Sequence, residues 1–507
     1  MRARLLELTF GFVLGVTSCQ SKENPMSSGS AGGENGATAG GDSRGGNGAG
    51  TGGAVTTGGS SGSAGHVPSS ANAGKSSGGG HGGDDAGASG GAGGSTAAGD
   101  AGSGTETGSA GEPSAGGDGS GAVTVGTWTD APGACPPGST RVDITTLDEM
   151  ESASRGESDA DATCFFVHDG TYAQTGSTLP LYFERGGSVN APVVWVGESR
   201  SGVVIQGRAT FEVGSDHMVL SNMTLDISNV TQTGAYDTVT VLASDITLTH
   251  LTLTGDCAHG SQGGHIEVPG QDDPSAPMQE HVVIDSCLIE KFGHCASGGS
   301  LDHGIYLSSG DDIVIRNSVI RANSSRGIQI YTHYEDSSLT LTNILVERNL
   351  VESNGHGDYQ DGMVINGNVD SNFAGPIDGV TIRNNVFWQN YYSAIRFVGN
   401  SVQNVAIEHN TFVDDGAEST SDNRSELNLD DGTPSATATG NLFAPANTVV
   451  NSCVASLHVS DSFVSGDASE ASCVSGSVSG EPAFNDGANG DFHPQDAVAA
   501  GYGAYVP

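Results

Sequence analysis

Three side chains with chemical capacity, His303, Arg326 and Asp361, each stand directly before a short phrase of one grammar: GIYL, GIQI and GMVI. An imidazole can take a proton, a guanidinium can stabilise the anion left behind, and a carboxylate can orient either one or hold a cation. Tyr306, Gln329 and Arg396 occupy the third position of such phrases, and Tyr331 and His333 follow one of them. The combination suits proton abstraction beside a carboxylate, provided that the phrases are stacked so that these residues meet.

A repeat supplies the stacking. The phrases IVIRNSVI (313–320), LVERNLV (345–351), VTIRNNVF (380–387), VAIEHNTF (405–412) and TATGNLF (437–443) recur at spacings of roughly 25 to 36 residues, and VVIDSCLI, ITLTHLTL and MVLSNMTL extend the series back to Met218. Alternation of apolar and polar residues reads each phrase as a strand. HIEV, GIYL, GIQI, GMVI, AIRF and ELNL form a second strand in most repeats, so the fold class is all-β: a single-stranded parallel β-helix of about eight coils over this stretch. Stacked coils bring like residues into columns about 4.8 Å apart. Asn349, Asn385, Asn410 and Asn441 then form an amide ladder. Leu225, Leu253, Ile289, Ile320, Val351, Phe387, Phe412 and Phe443 form a core column.

The second phrases define an outward face. Its columns are Glu267, Tyr306, Gln329, Val364, Arg396, Asn428 and, beside them, Gly264, His303, Arg326, Asp361, Ser393, Ser425. Tyrosines mixed with acids, histidines and arginines suit the stacking and hydrogen bonding that sugar rings need. A monomer is expected, with a polysaccharide as partner.

The N-terminus, MRARLLELTFGFVLGVTSCQ, has the basic start and short apolar run of an export signal. Val16-Thr17-Ser18-Cys19 resembles the lipobox of bacterial lipoproteins, which implies lipidation at Cys19, membrane attachment through that lipid, and location at the outer membrane or cell surface. The expected organisation is a signal peptide at 1–18, a flexible Gly/Ser/Ala-rich tether at 19–122 and one folded domain at 123–507. In an exported chain Cys135 with Cys164, Cys453 with Cys473, and Cys257 with Cys295 are expected disulfides, with Cys287 a lone buried thiol. A formal charge of -41 from 18 basic and 59 acidic residues argues against a nucleic-acid partner.

The order of an amphipathic stretch (DITTLDEMESAS), a strand ending in GTY, a strand VVWVGES and then the repeats resembles the N-terminal cap and first turns of the pectate-lyase-like right-handed β-helix superfamily. EPAFNDGANGDFHPQDAVAAG is similar to the closing segment common among its extracellular members. The resemblance implies a right-handed helix with a short cap helix, and activity on polysaccharide. β-Elimination of a uronate-containing glycan is the first reaction to consider, with His303 as base, Arg326 facing the carboxylate, and Tyr306 or Tyr331 near the leaving oxygen. Members of the group also use calcium held by carboxylates with a Lys or Arg base, which would fall here to Asp302, Asp358 and Asp361 with Lys291. A non-catalytic glycan-binding or adhesive surface is the alternative. A hydrolase of polygalacturonase type would draw on Asp311-Asp312 and Gly355-His356-Gly357, without that group's remaining elements.

Overall fold

The computed structural model describes residues 125–126, 133–157, 161–174, 180–228, 238–257, 264–269, 278–293, 302–332, 340–356, 360–367, 375–420, 424–432, 434–466 and 472–506, all within the compact unit Ser103–Pro507. Among them the chain winds through three parallel sheets of 14, 12 and 9 strands, here sheets 1, 2 and 3, and each strand pairs with its counterpart one turn on. This is a parallel β-helix with three short strands per turn. No helix among the described residues is long and apolar enough to cross a membrane.

Each phrase expected as one strand is bent into two. Gly310–Arg316 belongs to sheet 1 and Val319–Arg321 to sheet 2, with Asn317 between them at φ +53°. The same bend recurs at Asn222, His250, Ser286, Arg348, Asn384, His409 and Gly440, all at positive φ. Asn, His and Gly tolerate this left-handed conformation better than most residues, which explains their recurrence there.

The residue after each bend points inward, and over the last four of these bends it is the asparagine of the expected ladder. Asn349 Nδ2 donates to Asn385 Oδ1 at 3.0 Å, Asn385 Nδ2 to Asn410 Oδ1 at 2.9 Å and Asn410 Nδ2 to Asn441 Oδ1 at 3.1 Å. Each also donates to a backbone carbonyl, so no buried amide in the run lacks a partner. On earlier coils the column holds Met223, Leu251 and then Cys287, a free, buried thiol pushed up to about 12 by burial. The adjoining column from Leu225 to Phe443 is fully buried in continuous register, and Phe387, Phe412 and Phe443 stack with centroids 5.3 and 4.8 Å apart.

Coils also lie outside the stretch that the phrases mark, from Cys164–Val167 and Val193–Gly197 at one end to Val474–Ser475 at the other. The cap helix Leu147–Ser154 starts with a capping box between Thr146 and Glu149 and buries Met150 and Ala153 in the core. Beneath it Phe165 stacks on Trp195 and Phe183 on Phe211. Cys135–Cys164 and Cys453–Cys473 are bonded. Cys257 is in a disulfide, and its expected partner Cys295 lies outside the described residues. So do Cys19 and the tether. The C-terminal segment folds back over the outside of sheet 2: Phe492 packs on Trp388 at 5.2 Å, and Ala504 N donates to Thr411 Oγ1 at 2.9 Å.

Candidate functional site on sheet 3

Sheet 3 carries both columns expected on the outward face, but only the first faces out: in the second, His303, Asp361, Ser393 and Ser425 are each 1% exposed or less. Glu267, Tyr306, Gln329, Val364, Arg396 and Asn428 are paired coil to coil. Backbone bonds from Gly304 N to Arg326 O, Gly327 N to Asp361 O and Gly362 N to Ser393 O put His303, Arg326, Asp361 and Ser393 on successive coils. The glycine after each of the first three has a packing cause. It faces inward onto a second amide ladder, and a Cβ on Gly304, Gly327 or Gly362 would lie 2.9, 2.8 or 2.7 Å from the amide nitrogen of Asn323, Asn354 or Asn390. Only a residue without a Cβ lets sheet 3 pass that close.

His303 is 1% exposed, and its Nδ1 has no hydrogen-bond partner among the described residues. Burial, and then the positive charge of Arg326, hold its pKa well below the ordinary histidine value, so the ring is neutral. Its centroid lies 5.7 Å from that of Tyr306. Arg326 Nη1 donates to Gln329 Oε1 at 2.7 Å. One coil further, Asp361 is wholly buried. Its Oδ1 accepts from Ser393 Oγ, and its Oδ2 lies 3.7 Å from Arg396 Nη1. Arg396 also grips Asp430 through Nη2 and sits 5.9 Å from the Tyr392 ring centroid. Burial raises the Asp361 pKa, against the pull of Arg396. In Arg396 burial acts against the charge, but Asp361 and Asp430 outweigh it.

The structure therefore brings together His303, Arg326, Tyr306, Gln329, Asp361 and Arg396, and gives two of them occupations that differ from expectation. Arg396, expected to contact substrate, is held between two carboxylates of its own chain. Asp361, expected as a calcium ligand, is engaged by Ser393 and Arg396. Asp302 is buried at 2% exposure, and Asp358 lies outside the described residues. No group of three or more His, Cys, Asp or Glu able to hold a metal ion occurs among the described residues. As it stands, the Asp361 carboxylate is turned to Arg396 and Ser393 of its own chain. Lys291 follows the sheet 2 strand Leu288–Glu290 and pairs with Glu290 Oε1 at 2.9 Å, so it is not part of the His303 column. Tyr331 ends the strand Ile328–Tyr331 opposite Asn366, and His333 is outside the described residues. Asp311 and Asp312 lie on sheet 1, where Asp311 accepts from Thr342 and Asn343, while His356 lies 3.4 Å from Glu418.

Sequence reasoning missed Asp430 and the second ladder. Asp430 follows Asn428 by two, the outward step of a strand. The second ladder follows the first by five residues: Asn349 and Asn354, Asn385 and Asn390, Asn410 and Asp415.

The family described as "Right handed beta helix region" matches residues 197–462. The chain belongs to the right-handed β-helix family. No curated protein sequence matches it. Among solved structures, an alginate lyase of family PL6 is 14% identical with a TM-score of 0.38, over 72% of this chain and 56% of that one. This chain thus spans little more than half of that lyase. A pectate lyase is 14% identical with a TM-score of 0.39, over 66% and 76% of the two chains. Endopolygalacturonase I from Stereum purpureum is 13% identical with a TM-score of 0.35, over 67% and 99%. In this right-handed β-helix the family match spans every coil that carries the candidate site, from Glu267 to Asp430.

Proposed function

We propose that the outer face of sheet 3 contacts polysaccharide and that the protein is a lyase of a uronate-containing glycan. The observation that carries the reading is a neutral imidazole, His303, beside a guanidinium, Arg326, with the Tyr306 ring adjacent. A neutral imidazole can accept the proton from the carbon next to a uronate carboxylate, while a guanidinium stabilises the charge that spreads onto that carboxylate. The C–H electron pair becomes the new C=C bond. The bond to the glycosidic oxygen breaks, and that oxygen takes a proton from Tyr306 or Tyr331. Lipidation of Cys19 and the tether would hold this face at the outer membrane or cell surface.

One observation favours a second reading. A base must come within hydrogen-bond reach of the proton it removes, and His303 is 1% exposed. On that reading the tyrosines and amides of sheet 3 bind glycan without cleaving it. The test is to incubate the full-length protein with pectate, alginate and glycosaminoglycans, with calcium and with chelator, and to follow the ultraviolet absorbance of unsaturated uronate ends. A rise that His303→Ala and Arg326→Ala abolish supports elimination. No rise with any substrate, while a glycan array still shows binding, leaves the surface-binding reading; neither signal sinks both.

A further inference from the structure

The second ladder ends in an acid. Asn323, Asn354 and Asn390 each use Nδ2 twice. It donates to the Oδ1 of the next rung, at 3.0, 3.1 and 2.7 Å, and to a carbonyl, Ile289 O, Ile320 O or Val351 O. The rung after Asn390 is Asp415, 1% exposed. Its Oδ1 accepts from Asn390 N at 2.8 Å and from Asn390 Nδ2, so it fills the place of the amide oxygen. Its Oδ2 fills the place of the amide nitrogen, where every earlier rung presents a donor. An ionised carboxylate has none to present.

Glu426 stands opposite. It belongs to the inward column that Gly304, Gly327, Gly362 and Ala394 occupy on earlier coils, and at the glycines even a Cβ would touch the ladder. A full glutamate side chain at this position meets the rung, and its carboxyl contacts that of Asp415. Glu426 is 0% exposed. With both groups ionised, Asp415 Oδ2, Glu426 Oε1 and Glu426 Oε2 have no hydrogen-bond partner among the described residues. The groups that act on the pair are Asn390, a neutral amide, the backbone N–H of Asp415, which favours an ionised Glu426, and Asp414, a further negative charge; Arg424, two residues before Glu426, gives its Nη1 to Ser419 O. Two bare carboxylates in contact inside an apolar coil would carry both the desolvation penalty and their mutual repulsion.

We propose that Asp415 and Glu426 share a proton in the folded protein, and that this proton closes the second ladder and clamps the strand Ser425–Asp431 to the coil beneath. That strand is the last of sheet 3, and above it no further strand pairs among the described residues: Glu426 N, Leu427 N and Leu429 N donate to Thr448 O, Val449 O and Asn451 Oδ1. It also carries Asp430, the outer partner of Arg396, so the clamp sets the edge of the candidate site. The device stands whether or not that site is a lyase. Burial pushes Asp415 up to about 7 and Glu426 well above the usual carboxylate range, in agreement with the geometry. Since both folded-state values are raised, the contribution to stability is complete below the ordinary carboxylate range and is lost as pH rises, the Asp415 part through about 7.

The test is denaturant unfolding of the full-length protein across this range for wild type, Asp415→Asn and Glu426→Gln, with the infrared carbonyl band of a protonated acid as a second readout. Asp415→Asn restores the missing amide donor. The wild-type folding equilibrium should fall relative to this variant by about tenfold per pH unit between about pH 5 and 7. The acid band should persist in wild type near neutral pH and vanish in the double variant. Equal pH dependence of wild type and Asp415→Asn, with no acid band, overturns the proposal. So does stabilisation of wild type by added calcium that Asp415→Asn abolishes, since a cation would then occupy the proton's place. If Asp415→Asn does not fold, comparison of the band in wild type and Glu426→Gln decides the matter.

Discussion

The acids on the outside of sheets 1 and 2 and those behind and upon sheet 3 are managed in opposite ways. On sheet 1, Asp285 faces Arg316 on the next coil at 3.0 Å, and Glu347 lies 2.9 Å from Arg383 of the following coil. On sheet 2, Glu290 is held by Lys291 at 2.9 Å and Arg321 at 2.8 Å. Charge alternates coil by coil, and even where the acid is buried, as at Glu290 and Glu347, a partly exposed cation covers it. At sheet 3 the ionisable groups are driven inside: His303 is neutral, Asp361 shares one guanidinium with Asp430, and Asp415 faces a second acid, Glu426. A solenoid that needed only to stand could have used the first arrangement throughout. Its departure along one sheet is what marks that sheet as the candidate site.

That contrast can be broken at several points. Arg396→Ala should have the largest effect, since it leaves the fully buried Asp361 without its cation; a loss of about 3–5 kcal/mol is expected from denaturant unfolding. An Asp361→Asn/Arg396→Gln double variant should recover part of it, and an equally destabilised double variant would mean that packing, rather than charge, governs the position. Asn385→Ala removes the acceptor for Asn349 and both donations of Asn385, at roughly 1–3 kcal/mol for each buried group left unpaired. A midpoint unchanged from wild type would show that the ladder is ornamental.

Acidification probes the neutral histidines. Burial lowers His265 to about 3 and holds His303 well below its ordinary value, so both favour the folded state above the ordinary histidine range and oppose it as pH falls below. Each should contribute up to about 1.4 kcal/mol of lost stability per pH unit. Measured in the Asp415→Asn background, which removes the carboxyl pair's opposite trend, the loss should shrink when His265 is replaced by Asn. The smallest effect belongs to an exposed pair, Arg141 with Asp143. Asp143→Ala should change stability by less than about 1 kcal/mol, and by less still in high salt.

Much of this was legible in the residues. The first ladder and the aromatic core column follow from Asn-x-Val/Phe, because a coil stacked on a coil must place like residues together. The two columns of sheet 3 follow from the second phrases, and Glu426 is visible as an acid where the other phrases carry Gly, Ala or His. The left-handed bend that splits each first phrase into two strands leaves only a three-residue step between inward residues, as from Leu248 to Leu251, which a reading of the phrase as one strand passes over. The partners of Arg396 and Asp361, whose side chains reach across coils, were not legible.

The sequence by itself determined a parallel β-helix, its asparagine ladder, its core column and the face on which His303, Arg326 and Asp361 align. These are consequences of short-range periodicity repeated at the length of a coil. Only the tertiary structure decided which of those groups are charged, which are neutralised by a neighbour and which are sealed from solvent. Those properties depend on distances between side chains on different coils and on the local dielectric, and repeat spacing encodes neither.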